Sequence, residues 1–314
     1  MDYAYLAAGL LLLFLGGESL VRGAVSLAGR LGLSKILVGM VIVGFGTSTP
    51  ELLVSLQAAL ADSPEIALGN VIGSNIANVL LILGLSALVF PIACAQAGLK
   101  REAAVMTLVS LALLPLLFLG RLTGLMGAGM LVFLAGYLLV TYRLERSGAA
   151  SSYEAEGEEM ALTPKPLWLS LLTAAAGLAL LLGGARFLVL GATSLARDLG
   201  VSEAVIGLTI VAVGTSLPEL ATSLIAAWRR HSEVALANVV GSNIFNILAI
   251  LGATLVVQPM EVANRFARAD GPIAAGCALL VLLLLWRGGR FPRPVGILFL
   301  LAYAAYIGAQ ARFG

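Results

Sequence analysis

The chain has 314 residues, 60% of them hydrophobic and 11% charged, with a formal net charge of +2 and a mean hydropathy of +1.02. An ordinary soluble domain is about 25% charged, so this composition excludes a soluble globular protein, and the small, dispersed positive charge excludes a nucleic-acid surface. The two cysteines, Cys94 and Cys277, are too few for a disulfide framework or a zinc site and are expected to pack as small apolar side chains.

Apolar runs recur near the roughly 20 residues that a helix needs to cross a bilayer, which predicts an all-α integral membrane protein rather than a barrel. The first, 3–31, lacks a basic start and passes into GGESLVRGAVSLAG without a small-residue cleavage site, so it reads as a membrane helix and not a signal peptide. Within it Glu18 and Arg22 stand four apart and are expected to pair. Spans over 34–60, 65–90, 100–119 and 123–143 follow. Residues 145–165 form a polar Ser/Ala/Glu stretch that reads as a mobile linker. Five further spans cover 166–197, 202–228, 232–257, 271–287 and 294–310. The expected organisation is therefore a five-helix repeat over 1–144, the linker over 145–165, and a second five-helix repeat over 166–314. Glu65 and Glu233 open two of the spans, where a carboxylate suits a helix N-terminus. His231, in a short polar turn, is expected to face water.

The second half repeats the first. A shift of 168 residues aligns GMVIVGFGTSTPELLVSLQAA with GLTIVAVGTSLPELATSLIAA, and ALGNVIGSNIANVLLILG with ALANVVGSNIFNILAILG, without a gap. This is an internal duplication. Five spans per half make the second half enter the membrane from the opposite face, so the repeat is expected to be inverted. Basic residues such as Lys35, Lys100, Arg101, Arg143, Arg229, Arg230 and Arg290 concentrate on one set of loops. The positive-inside bias then places the linker in the cytoplasm and both termini outside.

The duplicated segments carry unusual chemistry for a membrane interior. In GTSTPE, Pro50 cannot donate to the carbonyl of Gly46, so the helix is expected to break and free carbonyls near Thr47. Thr47 and Glu51, like Thr215 and Glu219, are four apart, and Ser74/Asn78 and Ser242/Asn246 repeat that spacing. Two carboxylates, amide oxygens, hydroxyls and carbonyls suit hard cations such as Ca²⁺ and Na⁺, not zinc or copper. Glutamates at such depth cost several kcal/mol unless partnered, about 3 for an acidic residue at a helix centre on insertion scales. The plainer reading, protonated glutamates tying helices together, suits one buried Glu better than two in a duplicated, hydroxyl-rich motif. Gly69, Gly73, Gly84, Gly241 and Gly252 are read chiefly as packing residues.

The paired GTSTPE/GTSLPE and GNVIGSN/ANVVGSN motifs, in two five-span halves, resemble the sodium/calcium exchanger family of the cation/calcium exchanger superfamily, prokaryotic type. The resemblance implies ten helices, with spans 2, 3, 7 and 8 building the cation sites. Carried over by position, Glu51 and Glu219 resemble the shared carboxylate ligands of Na⁺ and Ca²⁺. Thr47, Ser48, Thr215 and Ser216 resemble hydroxyl and carbonyl donors, Ser74, Asn78, Ser242 and Asn246 complete the set, and Gly44 and Ala212 match positions that use backbone carbonyls. The first and sixth spans resemble the pair that slides across this core, their glycine pairs at 16–17 and 183–184 permitting close contact. Some relatives carry Asp where Asn78 or Asn246 stands, so this chain lacks a third acid. The linker is too short for the large calcium-binding regulatory domains of animal relatives.

The expectation is a non-enzymatic secondary antiporter of a prokaryotic plasma membrane, exchanging Na⁺ for Ca²⁺. It needs no cofactor beyond the transported ions and shows no sign of an obligate protein partner. A Ca²⁺/H⁺ antiporter using the same glutamates is the nearest alternative. A channel fits a duplicated inverted core less well, and so does an intramembrane hydrolase using the two carboxylates for acid/base work, since there is no HExxH zinc site and the oxygen donors suit cations better than a catalytic pair.

Overall fold

The computed structural model describes residues 2–94, 96–152, 166–199 and 212–313. Among these, eight helices are long and apolar enough to cross a membrane. Lys35–Thr47 and Thr49–Leu60 pass the same test as a pair bent by 43°. The expected span over 202–228 begins in 200–211, outside the described residues, and is represented by Ala212–Thr215 and Leu217–Trp228. The expected linker is helical at its start, since the helix Gly124–Ser152 runs into it, and 153–165 lie outside the described residues.

The spans sort by burial. Pro64–Val89 and Ser232–Val257, which carry the GSN-x-x-N motifs, are the most enclosed, and Arg293–Gln310 is the least. Their uniformly apolar circumference is what a helix surrounded by other helices requires. Both switch to a π-helical stretch at the second motif asparagine, over Asn78–Leu83 and Asn246–Leu251. A third π-helical stretch, Gly39–Gly44, precedes the bend in the second span. Such insertions rotate side chains out of the α-helical register and concentrate at functional sites.

Two short antiparallel ribbons clamp the loops. β1 (Ile92–Ala93) pairs with β4 (Arg290–Phe291), and β2 (Arg121–Leu122) pairs with β3 (Met260–Glu261). Each ribbon takes one strand from either side of the 145–165 segment.

The helices Asp2–Leu31 and Leu167–Asp198 pack together through glycines. A Cβ on Gly177 would lie 2.4 Å from the Leu20 nitrogen, and one on Gly16 would lie 2.7 Å from the Leu181 nitrogen. Gly9, Gly23 and Gly184 meet the opposite backbone as closely. Seven-residue spacing keeps these glycines on one stripe, so the two backbones touch where any side chain would separate them. The doublets divide this role. Gly16 and Gly184 face the partner helix, Gly17 faces Ile225 of the core, and no described atom lies within 4 Å of a Cβ at Gly183.

Cys94 and Cys277 are both buried. Gly84, Gly241 and Gly252 sit at close helix contacts, whereas Gly69 makes only ordinary contact with Phe266. The Glu18–Arg22 pair forms at 2.5 Å, and Arg229, across the interface to Leu217–Trp228, joins it at 2.6 Å. His231 departs from expectation. Its side chain is only 15% exposed and stands 3.9 Å from Glu233, the carboxylate that Lys35 pairs with at 3.0 Å. Burial pushes its imidazole pKa below the ordinary value.

Candidate cation site

Each glutamate motif sits at a helix break. Ser48 (φ −79°, ψ 8°) and Ser216 (φ −89°, ψ 6°) leave the helical conformation, and a new helix starts with Pro50 or Pro218 in its first turn. Proline is tolerated there because its missing N–H would have no partner anyway. Glu51 and Glu219 thereby fall in the first turn of the second segments, near the partial positive charge of a helix N-terminus. The carbonyl of Gly46 is not left free as expected: the Thr49 hydroxyl donates to it at 2.8 Å. Leu217 stands at the corresponding place in the second motif and has no hydroxyl to do the same.

The two motifs interlock. The Ser48 hydroxyl donates to Glu219 Oε1 at 2.9 Å, and the Ser216 hydroxyl donates to Glu51 Oε1 at 3.0 Å. Thr215 lies beside the Glu51 carboxylate and Thr47 beside that of Glu219. Thr47 also donates to the Gly44 carbonyl at 3.3 Å. Ser242 donates to that carbonyl at 3.4 Å. Glu51, Glu219, Thr47, Ser48, Thr215, Ser216, Ser74, Asn78, Ser242 and Asn246 are all buried, none more than 8% exposed. Gly44 ends its π-helical stretch with its Cα against the backbone of Ser242. Ala212 begins the helix Ala212–Thr215, and its side chain lies outside the described residues.

Four of the oxygens in these motifs are buried with no hydrogen-bond partner among the described residues: Glu51 Oε2, Glu219 Oε2, Asn78 Oδ1 and Asn246 Oδ1. Leaving such atoms unmatched costs about 1–3 kcal/mol each, more when charged. Two other buried carboxylates provide the contrast. Glu102 accepts from Arg101 at 2.6 Å and from the Tyr137 hydroxyl. Asp270 accepts from Arg265 at 3.2 Å, Tyr306 at 3.2 Å and Gln310 at 2.5 Å. Neither Glu51 nor Glu219 is in an ion pair among the described residues. Among these residues there is also no group of three or more His, Cys, Asp and Glu side chains that could hold a metal. Any cation here would rely on two carboxylates together with neutral oxygens, the ligand type that hard ions accept.

Four further asparagines support the site and were not singled out from the sequence. Asn70 Nδ2 donates to the Glu51 carbonyl at 3.0 Å and to Ser55 at 2.9 Å. Asn238 makes the equivalent bonds to the Glu219 carbonyl at 3.3 Å and Ser223 at 2.8 Å. Asn75 and Asn243 cross between the two central helices. The signal was present: all four recur under the 168-residue shift, within the same GNVIGSN and ANVVGSN strings.

A polytopic helical membrane protein with a buried, oxygen-lined pair of unpaired carboxylates belongs to the class of cation transporters. The chain matches the sodium/calcium exchanger protein family over residues 1–143 and 169–312, and it belongs to that family. It is 39% identical over 315 residues to the putative antiporter CaxA of Alkalimonas amylolytica, covering 96% of each chain. It is 30% identical to the sodium/calcium exchanger MaX1 of Methanosarcina acetivorans, covering 98% of this chain and 97% of that protein. Among solved structures, the sodium-calcium exchanger NCX_Mj soaked with zero Na⁺ and Ca²⁺ aligns with a TM-score of 0.85 at 32% identity, covering 100% of this chain and 99% of the other. The protein is thus a membrane antiporter of the cation/calcium exchanger type, a transporter and not an enzyme.

Proposed function

We propose that this chain exchanges Na⁺ for Ca²⁺ by alternating access, the two ions competing for one site between Glu51 and Glu219. The carrying observation is the split among four buried carboxylates. Among the described residues Glu102 and Asp270 have an arginine, whereas Glu51 and Glu219 have none and each keeps one oxygen unpartnered, as Asn78 and Asn246 keep their amide oxygens. A site built to hold cations and then release them needs that unpaired charge. Two carboxylates carry −2, which one Ca²⁺ or two Na⁺ would neutralise, and a third Na⁺ would make the exchange electrogenic. The membrane potential would then contribute about 2.3 kcal/mol per net charge per 100 mV.

The same reading takes Thr47, Ser48, Thr215, Ser216, Ser74, Ser242 and the carbonyls of Gly44 and Ala212 as further oxygen donors. It places ten spans in two inverted halves, 1–144 and 166–314, joined by a cytoplasmic linker, with both termini outside a prokaryotic plasma membrane. Strand pairing supports the count. β1 and β4 must lie at one face of the bundle, which requires an even number of crossings between them. Among the described residues five long helices lie between those strands, and on this reading the segment containing Leu217–Trp228 supplies the sixth crossing. The glycine-bound pair Asp2–Leu31 and Leu167–Asp198 is taken as the unit that slides over the core.

The test is uptake of radioactive Ca²⁺ into Na⁺-loaded proteoliposomes at clamped pH and potential. Uptake should require internal Na⁺ and disappear in Glu51→Gln and Glu219→Gln. Uptake indifferent to Na⁺ but driven by a pH gradient would replace Na⁺ by H⁺ as the counter-ion. No uptake under either gradient would overturn the calcium reading.

A further inference from the structure

Asn78 and Asn246 can offer a cation their oxygen or, if the amide is turned over, an N–H edge that repels it. What sets the orientation lies three residues earlier in each helix. The backbone carbonyl of Asn243 can only accept, and it accepts from Asn75 Nδ2 at 3.3 Å. The carbonyl of Asn75 likewise accepts from Asn243 Nδ2 at 3.2 Å. With both nitrogens committed to carbonyls, Oδ1 is the only acceptor edge that Asn75 and Asn243 have left. Asn75 Oδ1 takes the Asn246 Nδ2 donor, and Asn243 Oδ1 takes that of Asn78, both at 2.9 Å. The nitrogens of Asn78 and Asn246 are thus occupied, and their oxygens are the buried atoms left without partners.

We propose that Asn75 and Asn243 are positioning residues that fix the amides of Asn246 and Asn78 with oxygen toward the cation, and so determine how tightly the site holds it. They are not ligands themselves. The chain of donors starts at two backbone carbonyls, which cannot reverse polarity, and all four asparagines are at most 3% exposed. Turning one amide over would set acceptor against acceptor at Asn75 or Asn243 and place an N–H edge in the site. The control is crossed: Asn75, in the first half, orients Asn246 in the second, and Asn243 orients Asn78. This inference rests on the cation-binding reading above.

The experiment is Ca²⁺ binding to the purified full-length protein by calorimetry, so that it does not depend on transport. Asn75→Ala should weaken Ca²⁺ binding on the order of tenfold, the scale of losing one hydrogen bond that holds a group against a charge. In the Asn246→Asp background the same change should cost nothing or improve binding. A carboxylate has no N–H edge to misplace, and removing Asn75 relieves an acceptor facing it. In the Asn78→Asp background the tenfold loss should return, because Asn75 does not orient that residue. The mirror set, Asn243→Ala rescued by Asn78→Asp and not by Asn246→Asp, gives a second arm should Asn75→Ala fail to fold. Equal losses in every background, or failure of both alanine variants to fold, would overturn the proposal in favour of simple packing. If the unmutated protein binds neither Ca²⁺ nor Na⁺, or Glu51→Gln binds as well as it does, the cation-site reading falls first and this one falls with it.

Discussion

Two glycines six residues apart in one helix offer a matched comparison. In Leu167–Asp198, a Cβ at Gly177 would lie 2.4 Å from the Leu20 nitrogen and 2.8 Å from the Gly16 oxygen, while one at Gly183 would meet no described atom within 4 Å. Alanine at either place gains the same helix propensity, about 1 kcal/mol. That gain cancels in the difference, leaving the cost of overpacking. Backbone atoms cannot swing aside as side chains can, so the helices must part by about 1 Å to restore ordinary contact, and overpacking of this kind costs about 1–3 kcal/mol. Thermal unfolding of the detergent-purified variants is the assay. Gly177→Ala should melt several degrees below Gly183→Ala, on a scale of about 2–4 °C per kcal/mol for chains somewhat shorter than this one. Gly183→Ala should match or exceed the unmutated protein. Equal melting temperatures would refute the claim that this helix is held to Asp2–Leu31 by backbone contact.

Removing the crossed hydroxyls should act symmetrically. Ser216→Ala and Ser48→Ala each delete one hydrogen bond to a carboxylate, worth about 1.5–3 kcal/mol, so each should raise the KM for Ca²⁺ uptake by at least about tenfold, and an unchanged KM in either would show that hydroxyl to be dispensable. At the Glu18 cluster, Arg229 is 42% and Arg22 65% exposed, which limits each pair to about 0.2–1 kcal/mol. A double-mutant cycle of Glu18→Gln and Arg229→Gln, read by thermal unfolding, should return coupling in that range, and zero coupling would count against the pair. His231 provides a pH dependence. Its folded-state pKa lies below the ordinary value of 6.5 because burial disfavours the imidazolium, against the attraction of Glu233. Its stabilising contribution is therefore complete above that value and is lost as pH falls below it toward the folded pKa. His231→Asn should flatten the melting temperature between neutral pH and the acid side, and an unchanged slope would assign the dependence to other groups.

The sequence announced the polar residues of the candidate site and not their partners. Glu51, Glu219, Asn78 and Asn246 were legible because polar residues in an apolar span are costly, and a duplication preserves them in pairs. That Ser48 serves Glu219, and Ser216 serves Glu51, was not legible, since a repeat does not say whether its copies satisfy themselves or each other. The break at Pro50 was expected, but the carbonyl it released is taken by Thr49, one residue away. His231 misled because a polar turn suggests water, whereas Glu233, two residues on, and Lys35 from the first half of the chain meet beside it. Gly17 and Gly183 show the limit of a doublet: a glycine pair permits contact without saying which of the two residues makes it.

The β ribbons and the crossed serines bear on how such a molecule could have arisen. Each ribbon takes one strand from either half, and each carboxylate takes its hydroxyl from the other half. A single five-span unit would have a glutamate without its serine, an asparagine without its guide, and strands with nothing to pair with. On the inverted arrangement proposed here, such an ancestor would have been complete only as two copies inserted in opposite orientations. Gene fusion would then have fixed a dual-topology dimer in one chain, after which the two glutamates were free to diverge in their surroundings, as Thr49 and Leu217 already have.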